Sequence, residues 1–411
     1  MKFLYSVFVQ LLALGFYIGR FFNAKLRQGW VGRQQSLSIV KTAFQPNDRV
    51  IWMHAASLGE YEQGLPVLEA MKQRFPNHKI LVTFFSPSGY EQMAKKKTIA
   101  DALCYLPIDQ KKKMKTFVEA FHTDIFFTVK YDYWYHLLEI LHHKKVKIFV
   151  VSALFYPSQV FFKPYGQWMV QALKRYVDWF FHQTEVSKNL AESLGLAQSS
   201  VSGDTRFDRV KAIKVQASSV PYITEFKGNL PLVVFGSAWE TEESIAQTIA
   251  GSTKAKIIIA PHDLSHISSL KKRFPEALLY SEIEQDRDKI KSESVLMIDS
   301  IGWLSRLYAY ADIAVVGGGF HSAGLHNILE AAVYGVPVLF GNHYQKNPEA
   351  DALIAAGGGQ SFADEQLCAA FILSLLQNPQ KMKTMGQNAE VWMRQAPSAT
   401  QVVMAKVQQW F

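Results

Sequence analysis

The chain has 411 residues, of which 49% are hydrophobic and 19% are charged, and its formal net charge at pH 7 is +9. The length predicts two domains with separate cores, and the composition excludes a disordered or repetitive chain. Cys104 and Cys368 lie in apolar stretches without metal-ligand spacing, which indicates buried thiols in a reducing compartment. No nucleic-acid-binding module is visible; each lysine cluster alone is typical of solvated helix ends, but the total charge favours a membrane surface or a phosphorylated ligand.

The first predicted element is an apolar segment from Phe3 to Gly19, with Lys2 before it and Arg20 after it. About 17 residues is the lower limit for crossing a bilayer, so the segment either spans the membrane or lies in its interface. A cleaved signal peptide is the alternative, but its small-residue cleavage site would fall inside the apolar run. The positive charge after the segment predicts an uncleaved anchor, residues 1–24, with the body on the cytoplasmic face of the membrane.

From Arg49 onward, apolar runs alternate with helical stretches such as Gln63–Arg74 and Lys111–Ala120. This alternation predicts repeated βα units and parallel sheets covered on both faces. The expected strands of the first series are Val50–Ala55, Ile80–Phe85, Leu103–Leu106, Ile125–Val129, Ile148–Val151 and Trp179–Gln183. Those of the second series are Leu232–Phe235, Lys256–Ala260, Leu278–Tyr280, Val295–Ile298, Ile313–Val316 and Val336–Phe340.

The pattern loosens around Ser202–Lys227, where we place an interdomain linker at residues 219–229. We therefore predict Rossmann-like domains at 25–218 and 230–395, and a final helix within 396–411 that could cross back to the first domain. Two Rossmann-like domains facing across a cleft, here with an N-terminal hydrophobic anchor helix, make the α/β architecture called GT-B, which many nucleotide-sugar glycosyltransferases use. Fold alone gives only an analogy to their function.

Residues 54–60, His-Ala-Ala-Ser-Leu-Gly-Glu, follow the end of the first predicted strand. Ser57 and Gly59 are expected in the turn, and Glu60 at the start of the next helix. The carboxyl ends of parallel strands are where open α/β sheets bind ligands, so Glu60 is a candidate general base. The structural alternative is an acidic residue that complements the helix dipole, and position alone favours this alternative.

A second candidate site runs from Ile313 to Glu349. A buried strand is predicted at Ile313–Val316, followed by three glycines and by a helix at His326–Tyr334 that Gly335 ends. Glycines let a backbone approach a phosphate closely, and a helix start offers free N–H groups. The stretch predicts a nucleotide pocket, in which His326, Asn327 and Glu330 lie at the helix start.

These motifs together resemble the 3-deoxy-D-manno-octulosonic acid (Kdo) transferases, which move Kdo from its CMP conjugate to a lipid A precursor. The resemblance rests on residues 54–60, on Gly-Asp-Thr-Arg-Phe-Asp at 203–208, and on the His-Asn-x-x-Glu pattern at 326–330. It extends from the apolar N-terminus through nearly the whole chain. It implies that Glu60 is the general base. The donor-binding residues that it implies are Pro261, His262, Gly317, Gly318, Gly319, Gly324, His326, Asn327 and Glu330.

The chain departs from the family pattern at three places. Many members carry Glu-Thr-Glu-x-Trp where residues 130–134 read Lys-Tyr-Asp-Tyr-Trp, so Asp132 keeps an acid and Lys130 reverses a charge. With Ser57, these two residues are expected on the acceptor side. Residues 152–154 replace Asn-Ala-Arg, and Pro-His-Asp at 261–263 replaces Arg-His, so acceptor contacts and some phosphate contacts differ from the family pattern.

The resemblance favours an inverting, membrane-associated enzyme that transfers Kdo from CMP-Kdo to a lipid IVA-type precursor in lipopolysaccharide core biosynthesis. We expect no cofactor, and no metal, because His262, His321 and His326 lack ligand spacing. The expected partners are the donor, the lipid acceptor and the membrane surface, without nucleic acid. Two alternatives stay open: another GT-B enzyme that uses a UDP-sugar, as a transferase or epimerase, and an inactive membrane-tethered nucleotide-binding scaffold.

Overall fold

The computed structural model describes residues 1–216, 218–322 and 324–411. The chain forms two compact units. Unit 1 comprises Met1–Arg209 and Ser398–Phe411, and unit 2 comprises Val210–Pro397. Each unit is built around one seven-stranded sheet. The predicted fold class, two Rossmann-like domains of the GT-B type with an apolar N-terminal helix, is confirmed.

The sheet of unit 1 is parallel, and its central strands are almost wholly buried. Its strands are β1 (Arg49–Ala55), β2 (Lys79–Phe84), β3 (Ala102–Tyr105), β4 (His122–Val129), β5 (Lys147–Ala153), β6 (Trp179–His182) and β7 (Ser199–Val201). Their order is β3-β2-β1-β4-β5-β6-β7. The order therefore reverses between β1 and β4, and such a switch point is where an open α/β sheet leaves a crevice for a ligand.

The sheet of unit 2 is parallel and has the same kind of order. Its strands are β8 (Leu232–Ala238), β9 (Lys256–Pro261), β10 (Leu278–Leu279), β11 (Val295–Met297), β12 (Ile313–Val316), β13 (Val338–Gly341) and β14 (Gly359–Phe362). Their order is β10-β11-β9-β8-β12-β13-β14. The switch point of this unit therefore lies between β8 and β12.

Helices cover the faces of both sheets. They are α1 (Lys2–Gly19), α2 (Ala24–Ala43), α3 (Leu58–Arg74), α4 (Pro87–Met93), α5 (Lys111–Val118), α6 (Tyr135–His143), α7 (Gln167–Tyr176), α8 (Glu185–Ser193), α9 (Thr205–Gln216), α10 (Ile223–Lys227), α11 (Glu240–Ala250), α12 (Ile267–Arg273), α13 (Leu304–Leu307), α14 (Leu329–Ala332), α15 (Pro348–Ala355), α16 (Glu365–Gln377), α17 (Pro379–Gln395) and α18 (Ala399–Val407). The stretch predicted as a linker, 219–229, includes α10, in which Ile223 and Phe226 are buried.

Helix α1 is, among the described residues, the one helix that is long and apolar enough to cross a bilayer. One of its faces packs on unit 1, where Val9 and Ala13 are buried with Ile108. The opposite face is open, and Phe3, for example, is 76% exposed. The helix therefore rests on the protein along one side and presents an apolar face on the other.

Candidate functional site

The carboxyl end of β1 places Ser57 and Glu60 together. Strand β1 ends at Ala55, and Ser57, with an extended backbone, precedes the first residue of α3. Glu60 lies in the first turn of α3, and the Ser57 hydroxyl donates a hydrogen bond to its carboxylate. The geometry thus fixes a carboxylate at the ligand-binding edge, and the same location also complements the helix dipole.

The carboxyl end of the neighbouring strand β4 carries Lys130 and Asp132. Lys130 has a positive φ of 63°, and its backbone N–H donates to Val151 at 3.0 Å. The Asp132 Oδ2 atom lies 2.7 Å from His54 Nε2 and 3.3 Å from the Trp134 indole nitrogen. The chain therefore turns sharply after β4, and the His54 side chain of β1 holds the Asp132 carboxylate in place.

Tyr131, half-buried, joins these two strand ends. Burial raises the pKa of its hydroxyl, and Tyr156, Glu60 and Asp132 add to the rise in that order. The ring of Tyr131 meets that of Tyr156 edge-on, with centroids 6.2 Å apart. Both carboxylates thus act on one tyrosine, which sequence reasoning did not single out although it lies between Lys130 and Asp132.

The Gly-Asp-Thr-Arg-Phe-Asp motif supports the helix that carries Glu60. Gln63 of α3 donates to Asp204 Oδ1 at 2.8 Å, and Arg206 forms an ion pair with Asp204 at 2.6 Å. Burial alone would raise the pKa of Asp204, but Arg206, its hydrogen bonds and Lys130 together lower it. Asp204 is therefore ionised, and it supports α3 through its hydrogen bond with Gln63.

In unit 2 the glycine loop after β12 packs against its own sheet. A Cβ on Gly317 would collide with the carbonyl oxygen of Ser237, and one on Gly319 would lie 2.8 Å from the Gly341 backbone. Gly324 differs, because a Cβ there would meet nothing within 4 Å among the residues that the structure describes, although its φ is +93°. The lack of a Cβ at Gly317 and Gly319 thus lets neighbouring backbone pack closely, whereas the space beside Gly324 is open among the described residues.

Glu242, at the start of α11, ties this loop to β8. Its two carboxylate oxygens accept the backbone N–H groups of Gly318 and Trp239, each at 3.0 Å. Burial raises the pKa of Glu242 to about 7, although these two hydrogen bonds act to lower it. The structure therefore gives Glu242 a role in shaping the loop.

The prediction of a helix from His326 to Tyr334 is wrong at its start, because α14 comprises only Leu329–Ala332. Asn327 Oδ1 accepts the Leu329 N–H at 3.3 Å, and its amide donates to Glu330 at 3.1 Å. When a side chain accepts a hydrogen bond from the backbone N–H two residues later, the chain forms a side-chain-stabilised turn and not a turn of helix. His326 and Asn327 therefore precede a single helical turn, which has little dipole to offer a phosphate.

Three histidines that are scattered in the sequence gather around Trp239. Its ring stacks on His262 with centroids 4.3 Å apart and meets His321 edge-on at 4.4 Å. The rings of His262 and His326 are 4.7 Å apart. Pro261 ends β9 directly before this cluster. Trp239 was not among the predicted site residues, although it follows β8 at the switch point.

Two histidines of this cluster, His321 and His326, have lowered pKa values. Burial, then His262 and His321, lower the pKa of His326 to about 4. Burial, then His262 and His343, lower the pKa of His321 as well. At neutral pH His326 is therefore uncharged in the free protein, so it can offer hydrogen bonds and ring contacts, but no positive charge, to a ligand.

Comparison with known proteins places these features in a family. A family model described as 3-deoxy-D-manno-octulosonic-acid transferase (kdotransferase) matches residues 28–209. The 3-deoxy-D-manno-octulosonic acid transferase of Aquifex aeolicus is 25% identical over 348 residues, which are 83% of this chain and 90% of that protein. A bifunctional glycosyltransferase/methyltransferase of Fusobacterium nucleatum is 26% identical over 320 residues, which are 73% of this chain but only 48% of that protein.

Solved structures support the fold. The UDP-GlcNAc 2-epimerase of Neisseria meningitidis, in a crystal structure with bound UDP-GlcNAc, superposes with a TM-score of 0.62 at 15% identity. The superposition covers 88% of this chain and 100% of the epimerase chain. At this identity the likeness shows a shared architecture and carries no information about the substrate.

Proposed function

Because the chain belongs to the Kdo transferase family, we propose that it is a glycosyltransferase of lipopolysaccharide synthesis that moves Kdo from CMP-Kdo to a lipid A precursor of the lipid IVA type. The observation that carries this proposal is the pair of carboxylates, Glu60 and Asp132, at the carboxyl ends of adjacent strands where the strand order of unit 1 reverses. A sugar hydroxyl that attacks an anomeric carbon needs such a group to take its proton.

In the proposed reaction the acceptor hydroxyl oxygen bonds to the anomeric carbon of Kdo, and the bond from that carbon to the CMP phosphate oxygen breaks. The hydroxyl proton passes to Glu60, which the Ser57 hydroxyl orients. A single displacement of this kind inverts the anomeric configuration. Asp132 and Lys130 are assigned to the acceptor, as hydrogen-bonding and electrostatic groups at the end of β4.

The donor is assigned to the carboxyl edge of the sheet in unit 2. The residues assigned to donor binding there are Pro261, His262 and His326, together with Asn327 and Glu330. Among the predicted glycines, Gly324 has room for a ligand, whereas Gly317–Gly319 shape the loop. The neutral imidazole of His326 would act as a hydrogen-bonding group. That the reaction needs neither a metal nor a cofactor stays a prediction.

Helix α1 is assigned to the membrane, and the localisation to the cytoplasmic face of the inner membrane. Its exposed face includes Phe8 and Leu11, while Val9 and Ala13 hold it to unit 1. A helix that is packed along one side and apolar on the other suits the interface, with its axis along the surface, better than a span. In a vesicle flotation assay, Phe8→Glu with Leu11→Glu should release the folded protein; continued flotation at high salt would place the contact elsewhere.

One reaction tests the proposal. Purified protein is incubated with CMP-Kdo and a tetraacylated lipid A precursor, and the lipid is examined by mass spectrometry for the mass of added Kdo. NMR of the product then gives the anomeric configuration, which tests inversion. Thermal shift with CMP against UDP addresses the UDP-sugar alternative. Stabilisation by UDP alone, with no Kdo on the lipid, would refute the proposal; no response to either nucleotide together with no transfer would do so as well.

A further inference from the structure

A buried chain of polar groups crosses unit 1 behind Asp132. Trp52, His54 and Thr83 are each 0% exposed. The Trp52 indole N–H donates to Thr83 Oγ1 at 2.8 Å, and Thr83 Oγ1 lies 3.0 Å from His54 Nδ1. The other ring nitrogen of His54, Nε2, lies 2.7 Å from Asp132 Oδ2. The four side chains thus form a continuous path of hydrogen bonds.

Strand register explains why these residues meet. His54 of β1 pairs with Thr83 of β2 on one side and with Thr128 of β4 on the other. Trp52 and His54 are two positions apart, so they project from the same face of the sheet. Because β4 runs directly beside β1, the turn after it brings Asp132 over that face, and Thr128 donates to the Asp132 carbonyl at 3.2 Å.

The directions of the hydrogen bonds follow from which groups can donate. An indole nitrogen only donates, so the Thr83 oxygen accepts from Trp52 and its single proton is available for His54 Nδ1. A nitrogen 2.7 Å from a carboxylate oxygen must carry a proton, since two lone pairs would repel. Nδ1 faces both the Thr83 hydroxyl and, at 3.1 Å, the Thr83 carbonyl oxygen, so the contact that fixes a proton on the ring is the one between Nε2 and Asp132.

Asp132 is left with one oxygen for a ligand. Its Oδ2 accepts from His54 and from Trp134. Within the part of the chain that the structure describes, Oδ1 has no hydrogen-bonding partner, and the side chain is 23% exposed. Two donors on one oxygen fix the plane of a carboxylate, and the other oxygen then has a defined direction.

We propose that His54 is a positioning residue: through its protonated Nε2, on a ring oriented by the Thr83 hydroxyl, it holds Asp132 so that Oδ1 receives the acceptor sugar hydroxyl. The role toward the acceptor rests on the proposed function; the protonation of the ring does not. Asp132 touches the acceptor in this scheme, whereas His54 acts only through Asp132.

The first test needs no substrate. Nitrogen-15 NMR of the full chain at pH 7.5 identifies which ring nitrogens of His54 carry protons, with the His54→Gln variant used to assign the signals. We expect a proton on Nε2, with or without a second proton on Nδ1. An Nε2 without a proton would overturn the assignment whether or not the protein transfers Kdo.

The second test uses variants of matched shape. Thr83→Val removes the hydroxyl and keeps the volume, and should raise the acceptor KM about tenfold, the equivalent of one hydrogen bond, while the CMP-Kdo KM stays the same. Thr83→Ser keeps the hydroxyl and should restore the acceptor KM. An unchanged acceptor KM in Thr83→Val, or equal changes in both KM values, would overturn the relay.

If Thr83→Val does not fold, two substitutions of His54 test the proposal instead. The amide nitrogen of glutamine can replace Nε2, and that of asparagine replaces Nδ1, so His54→Gln should keep the acceptor KM closer to wild type than His54→Asn. The reverse order, or equal loss, would overturn the proposal. If the wild-type protein transfers no Kdo, the proposed function fails, and the NMR result still tests the state of His54.

Discussion

Tyr5→Phe tests the docking of α1 on unit 1. The Tyr5 hydroxyl donates to Asp109 Oδ2 at 2.7 Å and accepts the Tyr135 N–H at 3.2 Å. The aromatic contact of Tyr5 with Trp168, at 5.5 Å between centroids, does not need the hydroxyl. A hydrogen bond to a charged group contributes about 1.5–3 kcal/mol, and a buried N–H left without an acceptor costs about 1 kcal/mol more. We therefore expect docking to weaken by about 2.5–4 kcal/mol.

Asp109 makes the docking depend on pH. Burial raises its pKa from 3.8 to about 7, although the Tyr5 hydroxyl and the backbone N–H groups of His136 and Leu137 favour the ionised form. Because the pKa is raised in the docked state, docking is strongest when Asp109 is protonated and weakens as the pH rises through about 7.

Hydrogen exchange of peptides within residues 2–19, corrected for intrinsic rates, measures this docking. At pH 8 the Tyr5→Phe variant should exchange at least about 70-fold faster than wild type, which is the rate equivalent of the lower free-energy figure. Tyr17→Phe is the matched control on the same helix, because Tyr17 is 43% exposed and its hydroxyl has no hydrogen bond within the described residues. Equal protection of wild type and Tyr5→Phe, at pH 6 and at pH 8, would refute the described docking.

Three further variants test the candidate site. Glu60→Gln should lower Kdo transfer by about 10²–10⁴-fold with an unchanged melting temperature, whereas Glu69→Gln on the same helix should leave turnover near normal; normal turnover of Glu60→Gln would remove it as the base. Asn327→Ser keeps an acceptor for the turn before α14 and should keep the melting temperature but bind CMP-Kdo several-fold more weakly in calorimetry, and unchanged affinity would limit Asn327 to the turn. Gly319→Ala should lower the unfolding free energy in urea by about 1–3 kcal/mol, and an unaltered midpoint would contradict the close backbone packing of that loop.

The strands that the sequence revealed are those with a continuous buried apolar run. The two that it did not reveal, β7 and β14, read Ser-Ser-Val and Gly-Gln-Ser-Phe, and both lie at an outer edge of their sheets. An edge strand has one neighbour and a partly exposed face, so its sequence needs no apolar run. Length and hydrophobic period therefore identify interior parallel strands and pass over short polar edges.

The site was predictable in part because chain order places each loop at a known end of its strand. Ser57 and Glu60 after β1, and Lys130 and Asp132 after β4, all lie at the carboxyl edge for this reason. That β4 lies beside β1 depends on strand order, which follows from packing of the complete sheet. The contact between His54 and Asp132, 78 positions apart, could not be read from spacing alone.

The glycines show that one sequence feature can have two structural causes. Both a ligand-binding loop and a loop packed against its own sheet require residues without a Cβ, so sequence composition is identical for the two causes. The structure separates them by what a side chain would meet: backbone at Gly317 and Gly319, and open space at Gly324. Gly324 also has a positive φ of 93°, so glycine is favoured there by conformation and not by crowding. The glycines after β12 therefore give the loop its shape, and among the described residues the space beside Gly324 is open.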